Sequence, residues 1–298
     1  MNVVLDKVPR GACVCIVRLR SLGDCVLTTP AIRILKNARP DLRIGVVVEP
    51  RFRDVFEGNP AVDRIMIPEL PEVRRFRPEL CINLHGGGRS ARLTVLSGSR
   101  WRAGFADFRF PFVYNVKIPT AQQILGVTRK VHTAEHVASA MFYLGVERCD
   151  IPRAQLFADS GRSGAYAVLH PVASEPEKAW PAKSFLQVAR HLKEELRLEP
   201  MFVGGPGDDL SAFREFTVMQ SAPLKPLLRD AALFVGNDSG PAHMAAAFGL
   251  PVVVIFGPSD PIVWAPWQTP SEVLTGSPIS EVTPAQVTSA LERLRVHA

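Results

Sequence analysis

Three short blocks carry side chains and turns suited to holding phosphate and moving a proton. The most telling runs from Phe234 to Pro251, where an apolar strand enters Gly236-Asn237-Asp238-Ser239-Gly240-Pro241 and then a small-residue helix. Glycine lets backbone approach a ligand closely, and Pro241 suits the first helical position. An open helix start presents N–H groups and a partial positive charge to an anion. Asp238 could accept from sugar hydroxyls or an amine. The backbone of Ser239 and Gly240 would hold phosphate, and His243, one turn in, could donate to its oxygens. Asp238 and Ser239 read equally as helix caps, and His243 as a surface histidine.

The second block is Arg18-Leu19-Arg20-Ser21-Leu22-Gly23-Asp24, continuing to Thr28-Thr29-Pro30. Asp24 sits just past a strand, at a helix start, where a carboxylate stays ionised and can act as a general base. Helix capping explains it as well. Pro30 reads as a tolerated kink inside the helix. The third block is His170-Pro171-Val172-Ala173-Ser174-Glu175-Pro176-Glu177-Lys178-Ala179-Trp180-Pro181. Lys178 is a point charge suited to phosphate and Ser174 a hydroxyl donor. The alternative is a solvated lysine beside a buried tryptophan. A weaker fourth signal is Gly204-Gly205-Pro206-Gly207, where Gly205 could approach a base or ribose or simply make a turn. His132 and His136 flank Glu135 at helical spacing, but a pair without a third ligand is no zinc site.

These blocks need strands and helices to aim them. The chain repeats strand, glycine turn, helix. Strands are expected at 12–19, 43–48, 80–84, 165–169, 200–203, 231–235 and 252–256, with helices through Lys36 and over 133–144, 184–196 and 284–296. That alternation predicts an α/β protein with largely parallel sheets. The polar, glycine-rich segment Asp159–Gly164 reads as a linker. It divides the chain into halves at 1–158 and 159–298, with the last helix free to pack on either. Ligand loops follow strand ends in such sheets, so two facing sheets would share one cleft.

The 298 residues are 47% hydrophobic, which suits two globular domains with sizeable cores. No apolar run reaches about 18 residues, and the first residues lack a signal-peptide pattern. The five cysteines show no CxxC spacing, which fits a reducing compartment. Charge is uneven. Residues 1–150 hold 23 Lys and Arg against 14 Asp and Glu, whereas residues 151–298 hold 12 against 15. The basic half points to an anionic partner or to an ordinary arginine-rich surface. Nucleic acid is not favoured, since no RNA motif or aromatic interleaving accompanies the charge.

The order of the blocks resembles glycosyltransferase family 9, the ADP-heptose:lipopolysaccharide heptosyltransferases. The resemblance rests on Ser21-Leu22-Gly23-Asp24, Thr29-Pro30-Ala31, Asn59-Pro60-Ala61-Val62-Asp63, His170-Pro171, Lys178-Ala179-Trp180-Pro181, Asp238-Ser239-Gly240-Pro241-Ala242-His243-Met244-Ala245 and Phe256-Gly257-Pro258-Ser259-Asp260-Pro261. It implies a GT-B fold of two Rossmann-like domains and an inverting transfer of heptose from ADP-heptose to a lipopolysaccharide core or related anionic glycan. It assigns Asp24 as base on the acceptor hydroxyl and Lys178 as neutraliser of the departing diphosphate. Ser174, Asp238, Ser239, Gly240 and His243 would bind the donor, with Gly205 near it. Arg20, Ser21 and Gly23 would meet the acceptor. No cofactor is implied, and a metal is not needed if Lys178 and helix N–H groups supply the charge. The setting would be the cytoplasm, with peripheral contact at the inner face of the inner membrane. The segment Ser221–Leu228 is shorter than the family's nucleoside-contacting segment. A nucleotide-sugar isomerase predicts donor conversion without acceptor, and a non-catalytic binder predicts donor affinity without chemistry.

Overall fold

Strands buried on both faces read as continuous apolar runs, which is the mark of a parallel sheet covered by helices on both sides. Cys13–Val17, Leu80–Asn83, Leu233–Asn237 and Val252–Phe256 are such runs, buried at every position. In a computed structural model, which describes residues 4–161 and 164–296, they form the centres of two sheets.

The first unit comprises residues up to Phe157. It holds β1 (Cys13–Val17), α1 (Leu22–Val26), α2 (Thr29–Ala38), β2 (Arg43–Val47), β3 (Arg64–Met66) and α3 (Leu70–Phe76). β4 (Leu80–Asn83), α4 (Gly88–Leu96), β5 (Trp101–Phe105), β6 (Val116–Ile118), α5 (Ala121–Leu125) and α6 (Thr133–Leu144) complete it. The second unit starts at Ala158. It holds β7 (Tyr166–His170), α7 (Ala182–Glu194), β8 (Glu199–Gly204), β9 (Thr217–Gln220), α8 (Leu224–Arg229) and β10 (Leu233–Asn237). α9 (Gly240–Phe248), β11 (Val252–Phe256), α10 (Pro261–Trp264), β12 (Ser271–Thr275) and α11 (Pro284–Val296) follow.

Both sheets have six strands, all paired in parallel. Their orders are β3-β2-β1-β4-β5-β6 and β12-β11-β10-β7-β8-β9. Counted within its own unit, the second order is the same doubly wound arrangement as the first. In each, the chain reverses direction of travel between the first and fourth strands, β1/β4 and β7/β10, and there a crevice opens at the carboxyl ends.

Pro30 does not kink a helix. α1 ends at Val26, and Pro30 stands in the first turn of a new helix, where its missing N–H costs nothing. α11 packs on α7, β11 and β12, within the second unit. Of the expected linker, Arg162 and Ser163 lie outside the described residues. Its Ser160 hydroxyl and Gly161 N–H both donate to Asp230. Cys13, Cys15, Cys25 and Cys81 are buried and Cys149 is exposed, all as free thiols. No helix among the described residues is long and apolar enough to cross a membrane.

Candidate active site

In the first unit the chain leaves β1 and turns at Ser21 into α1. Ser21 is the N-cap and Asp24 the third helical residue. The Ser21 N–H and hydroxyl both donate to Asp24 Oδ2, at 3.3 and 3.1 Å. From the end of β1, the Arg18 guanidinium donates to Asp24 Oδ1 at 3.2 Å. Arg18 also donates through Nε to the Thr28 hydroxyl at 3.2 Å, and that hydroxyl donates to the Asp24 carbonyl at 2.8 Å. Capping and an ion pair therefore coexist on one carboxylate. Each carboxylate oxygen can accept about two hydrogen bonds, so capacity for a substrate proton remains. The Asp24 side chain is 23% exposed, against 7% for Arg18. The Asp24 carboxylate thus reaches solvent while the guanidinium holding it is buried.

The surroundings are electrically quiet. Burial pulls Arg18 below its ordinary value, and Asp24 opposes that pull. Burial pushes the neighbouring Cys25 thiol up to about 12, so it stays protonated. His85, after β4, and His136, on α6, are both held low, first by burial and then by the Arg18 charge. Both are neutral at pH 7. His136 stacks on Phe105 with ring centroids 4.1 Å apart. Its helical neighbour His132 does a separate job, its Nδ1 accepting the Ala134 N–H at 3.1 Å as a cap of α6. Arg20 and Ser21 are exposed, whereas Gly23 is buried in α1 with its carbonyl accepting from Leu27.

In the second unit the corresponding switch point gathers His170, the loop to Trp180, and Asp238-Ser239-Gly240. Asn237, fully buried at the end of β10, ties the loop down at both ends. Its Nδ2 donates to the Pro171 carbonyl at 2.9 Å, and its Oδ1 accepts the Trp180 N–H at 3.0 Å. The Trp180 indole donates to the Val282 carbonyl at 2.8 Å. Lys178 ends a short 3-10 turn, Pro176–Lys178, with its ammonium 3.5 Å from Glu175. Gly257, after β11, admits that turn, because a Cβ there would lie 2.7 Å from the Glu177 carbonyl. Burial pushes the Asp238 carboxyl up, while a Ser259 hydrogen bond and the Lys178 charge draw it back. Ser174 is exposed in the same loop.

Ser239 is the N-cap residue of α9, but no side chain caps that helix. Its hydroxyl instead lies 3.3 Å from His170 Nδ1. Burial pushes His170 down to about 4, so a neutral ring can accept the hydroxyl proton. The capping reading of Ser239 gives way, and the α9 start, with Gly240, keeps its anion-seeking end. His243 is no surface histidine. It is 4% exposed and meets Trp264 edge-on at 6.4 Å. The Gly205 N–H is taken by Asp208 at 2.6 Å, and Gln220 donates to the Gly205 and Asp208 carbonyls. That loop closes on itself as a turn.

The structure thus groups Asp24 with Arg18, His85 and His136, and Lys178 with Asp238, Ser259 and the α9 start. From sequence alone Arg18, His85, His170 and Asn237 carry no role of their own, and His136 is weighed only as half of a metal-ligand pair. The available signal was a charged or polar residue ending an otherwise apolar strand, as at Arg18, Asn237 and His170. Among the described residues no group of three or more His, Cys, Asp or Glu is placed to hold a metal.

Lipopolysaccharide heptosyltransferase 3 of Escherichia coli K12 is 24% identical over 289 residues, covering 84% of this chain and 83% of that protein. The glycosyl transferase family 9 structure from Veillonella parvula superposes with a TM-score of 0.85 at 23% identity, covering 96% of this chain and 98% of that one. Escherichia coli heptosyltransferase WaaC, solved with ADP, gives 0.78 at 21% identity over 95% and 99% of the two chains. The fold is GT-B, built from two Rossmann-like units. The model of glycosyltransferase family 9 (heptosyltransferase) matches residues 72–293, well over half of the chain, and the protein belongs to that family of glycosyltransferases.

Proposed function

We propose that this chain is an inverting heptosyltransferase, moving heptose from ADP-heptose to a lipopolysaccharide core or related anionic acceptor. Asp24 takes the proton of the acceptor hydroxyl. The resulting oxygen attacks the anomeric carbon from the face opposite the diphosphate. The new C–O bond forms as the bond between that carbon and the diphosphate oxygen breaks, and ADP leaves with the electron pair. Lys178 and the N–H groups at the start of α9 stabilise the charge that gathers on the departing phosphate. A general base contributes about 10²–10⁴ in rate. Fixed leaving-group charge contributes by being in place before the reaction begins.

One observation carries the reading. Asp24 has each oxygen oriented by a separate donor, Arg18 and Ser21, yet stays open to solvent. A binder needs no such base. The named activities of the curated relatives, and ADP in the WaaC structure, support heptose and adenine as the donor's parts. The anionic acceptor is supported by the excess of Lys and Arg in residues 1–150. The setting that follows is the cytoplasmic face of the inner membrane.

The test is ADP release from ADP-heptose with a Kdo-containing lipid acceptor. Turnover that needs the acceptor, and that Asp24→Ala abolishes, is expected. Donor conversion without acceptor, or turnover indifferent to Asp24→Ala, would overturn the reading.

A further inference from the structure

The connection from β5 to β6 carries an aromatic at every second position, Phe108, Phe110 and Phe112. Two of them have seats on the glycine loop after β4. A Cβ on Gly86, whose φ is +80°, would fall 2.7 Å from the Phe108 ring. A Cβ on Gly88 would lie 3.4 Å from Phe110. Phe112, on the short 3-10 turn Pro111–Val113, is 78% exposed, the most exposed large apolar side chain among the described residues. It meets Phe110 edge-on at 6.2 Å. Nothing in the packing of the first unit requires a phenylalanine there.

Cations stand on the elements beside it. Arg109 lies over the Phe110 ring at 5.3 Å. α4 packs beside the 3-10 turn and presents Arg89, Arg92 and Val95 to solvent, with no acidic residue in its length. Beyond them a groove of about 210 Å³ is lined by Pro68, Leu70, Leu93 and Leu96 together with both arginines. Two acids lie near this face: Glu49, which pairs with Arg51 at 3.0 Å, and Asp107, exposed on the same loop as Arg109. Glu49 also pairs with Arg89 at 3.6 Å, and the charge of Asp107 acts on His136. An apolar apex flanked by exposed arginines in excess over acids fits an anionic lipid surface, with the ring among acyl chains and the guanidinium groups at headgroup level.

Position adds the reason. β1, β4 and β5 run parallel in one sheet, so the loops that follow them emerge along one edge. Asp24 follows β1, and the Phe108–Phe112 loop follows β5. We propose that the face built from Phe112, Arg109, Arg92 and Val95 docks the protein on an anionic bilayer, holding the Asp24 edge at the height of a lipid-borne hydroxyl. The link to the acceptor rests on the proposed transferase reaction; the lipid contact does not.

The test is sedimentation of the whole protein with phosphatidylcholine vesicles, with and without phosphatidylglycerol. The wild type partitions onto the anionic vesicles, less so at high salt. Phe112→Ser lowers that partitioning about tenfold, and Arg92→Gln with Arg109→Gln lowers it by at least about as much. These variants keep wild-type turnover on a deacylated, soluble acceptor and lose it on an acceptor embedded in vesicles. Equal partitioning of wild type and variants overturns the proposal. So does Phe112-dependent self-association without vesicle binding, which would mean that the face meets a second copy. If no acceptor of any kind is turned over while Phe112-dependent partitioning persists, the transferase reading fails and the docking face stands.

Discussion

The two halves of the molecule share one strand order and use its switch point oppositely. At β1/β4 the chain places a carboxylate, a buried guanidinium and two neutral imidazoles, and a side-chain capping box satisfies the start of α1. At β7/β10 it places a lysine, a half-buried carboxylate and a neutral imidazole, and the start of α9 has no side-chain cap. Topology supplies a crevice in both cases. A carboxylate at the start of α1 suits the first crevice to the proposed proton transfer, and the open start of α9 suits the second to an anion. The basic charge of the first half does not alter this local division.

The comparison breaks first at Asp24. Asp24→Asn keeps the size and part of the cap but removes the base, so kcat for ADP release should fall about 10²–10⁴-fold, and it leaves the buried Arg18 guanidinium without its counter-charge, so stability falls as well. Lost stability with kcat per folded molecule unchanged would make Asp24 a cap and ion-pair partner alone. Arg18→Met removes the buried partner and should cost about 4 kcal/mol in urea unfolding. A loss below about 1 kcal/mol would mean that the ion pair is screened like a surface pair.

The second half carries the next effects. His170 titrates near 4 when folded and near 6.5 when unfolded. Above pH 6.5 both states are neutral and the group contributes nothing. As pH falls from about 6.5 to 4 the unfolded chain takes up a proton that the native chain refuses, and stability drops by about 3 kcal/mol. His170→Gln should shrink the difference in unfolding free energy between pH 7 and pH 4.5. Lys178→Ala should lower kcat about 100-fold and weaken ADP binding, with Lys178→Arg restoring part of both. The smallest effect belongs to Ser239→Ala. With the hydroxyl turned to His170 rather than to the helix, stability should change by less than about 1 kcal/mol, where loss of a true N-cap would cost about 1 or more.

Central elements were legible because burial on both faces leaves an unbroken apolar run. Val252–Phe256, Thr133–Leu144 and Pro284–Val296 stand where periodicity puts them. β3, β5, β6, β9 and β12 were not read. Arg64-Ile65-Met66 is three residues long at a sheet edge, and Ser271–Thr275 is buried at no position, so neither shows a decisive pattern. Within the sites, Asp24, Lys178 and the Asp238-Ser239-Gly240 turn announced themselves by following strands. The partners did not. His136 reaches the Asp24 region from a helix more than a hundred residues on, and Asn237 fastens a loop 66 residues earlier. Such pairings exist only once the strands are in register.

Asn237 has a thermodynamic consequence. Because one buried amide grips both Pro171 and Trp180, the arc between them behaves as a closed ring rather than a free strand. A closed ring has surrendered part of its conformational entropy before any ligand arrives. Nucleotide binding through Lys178, as proposed, should then show reduced entropic opposition from this arc in calorimetry.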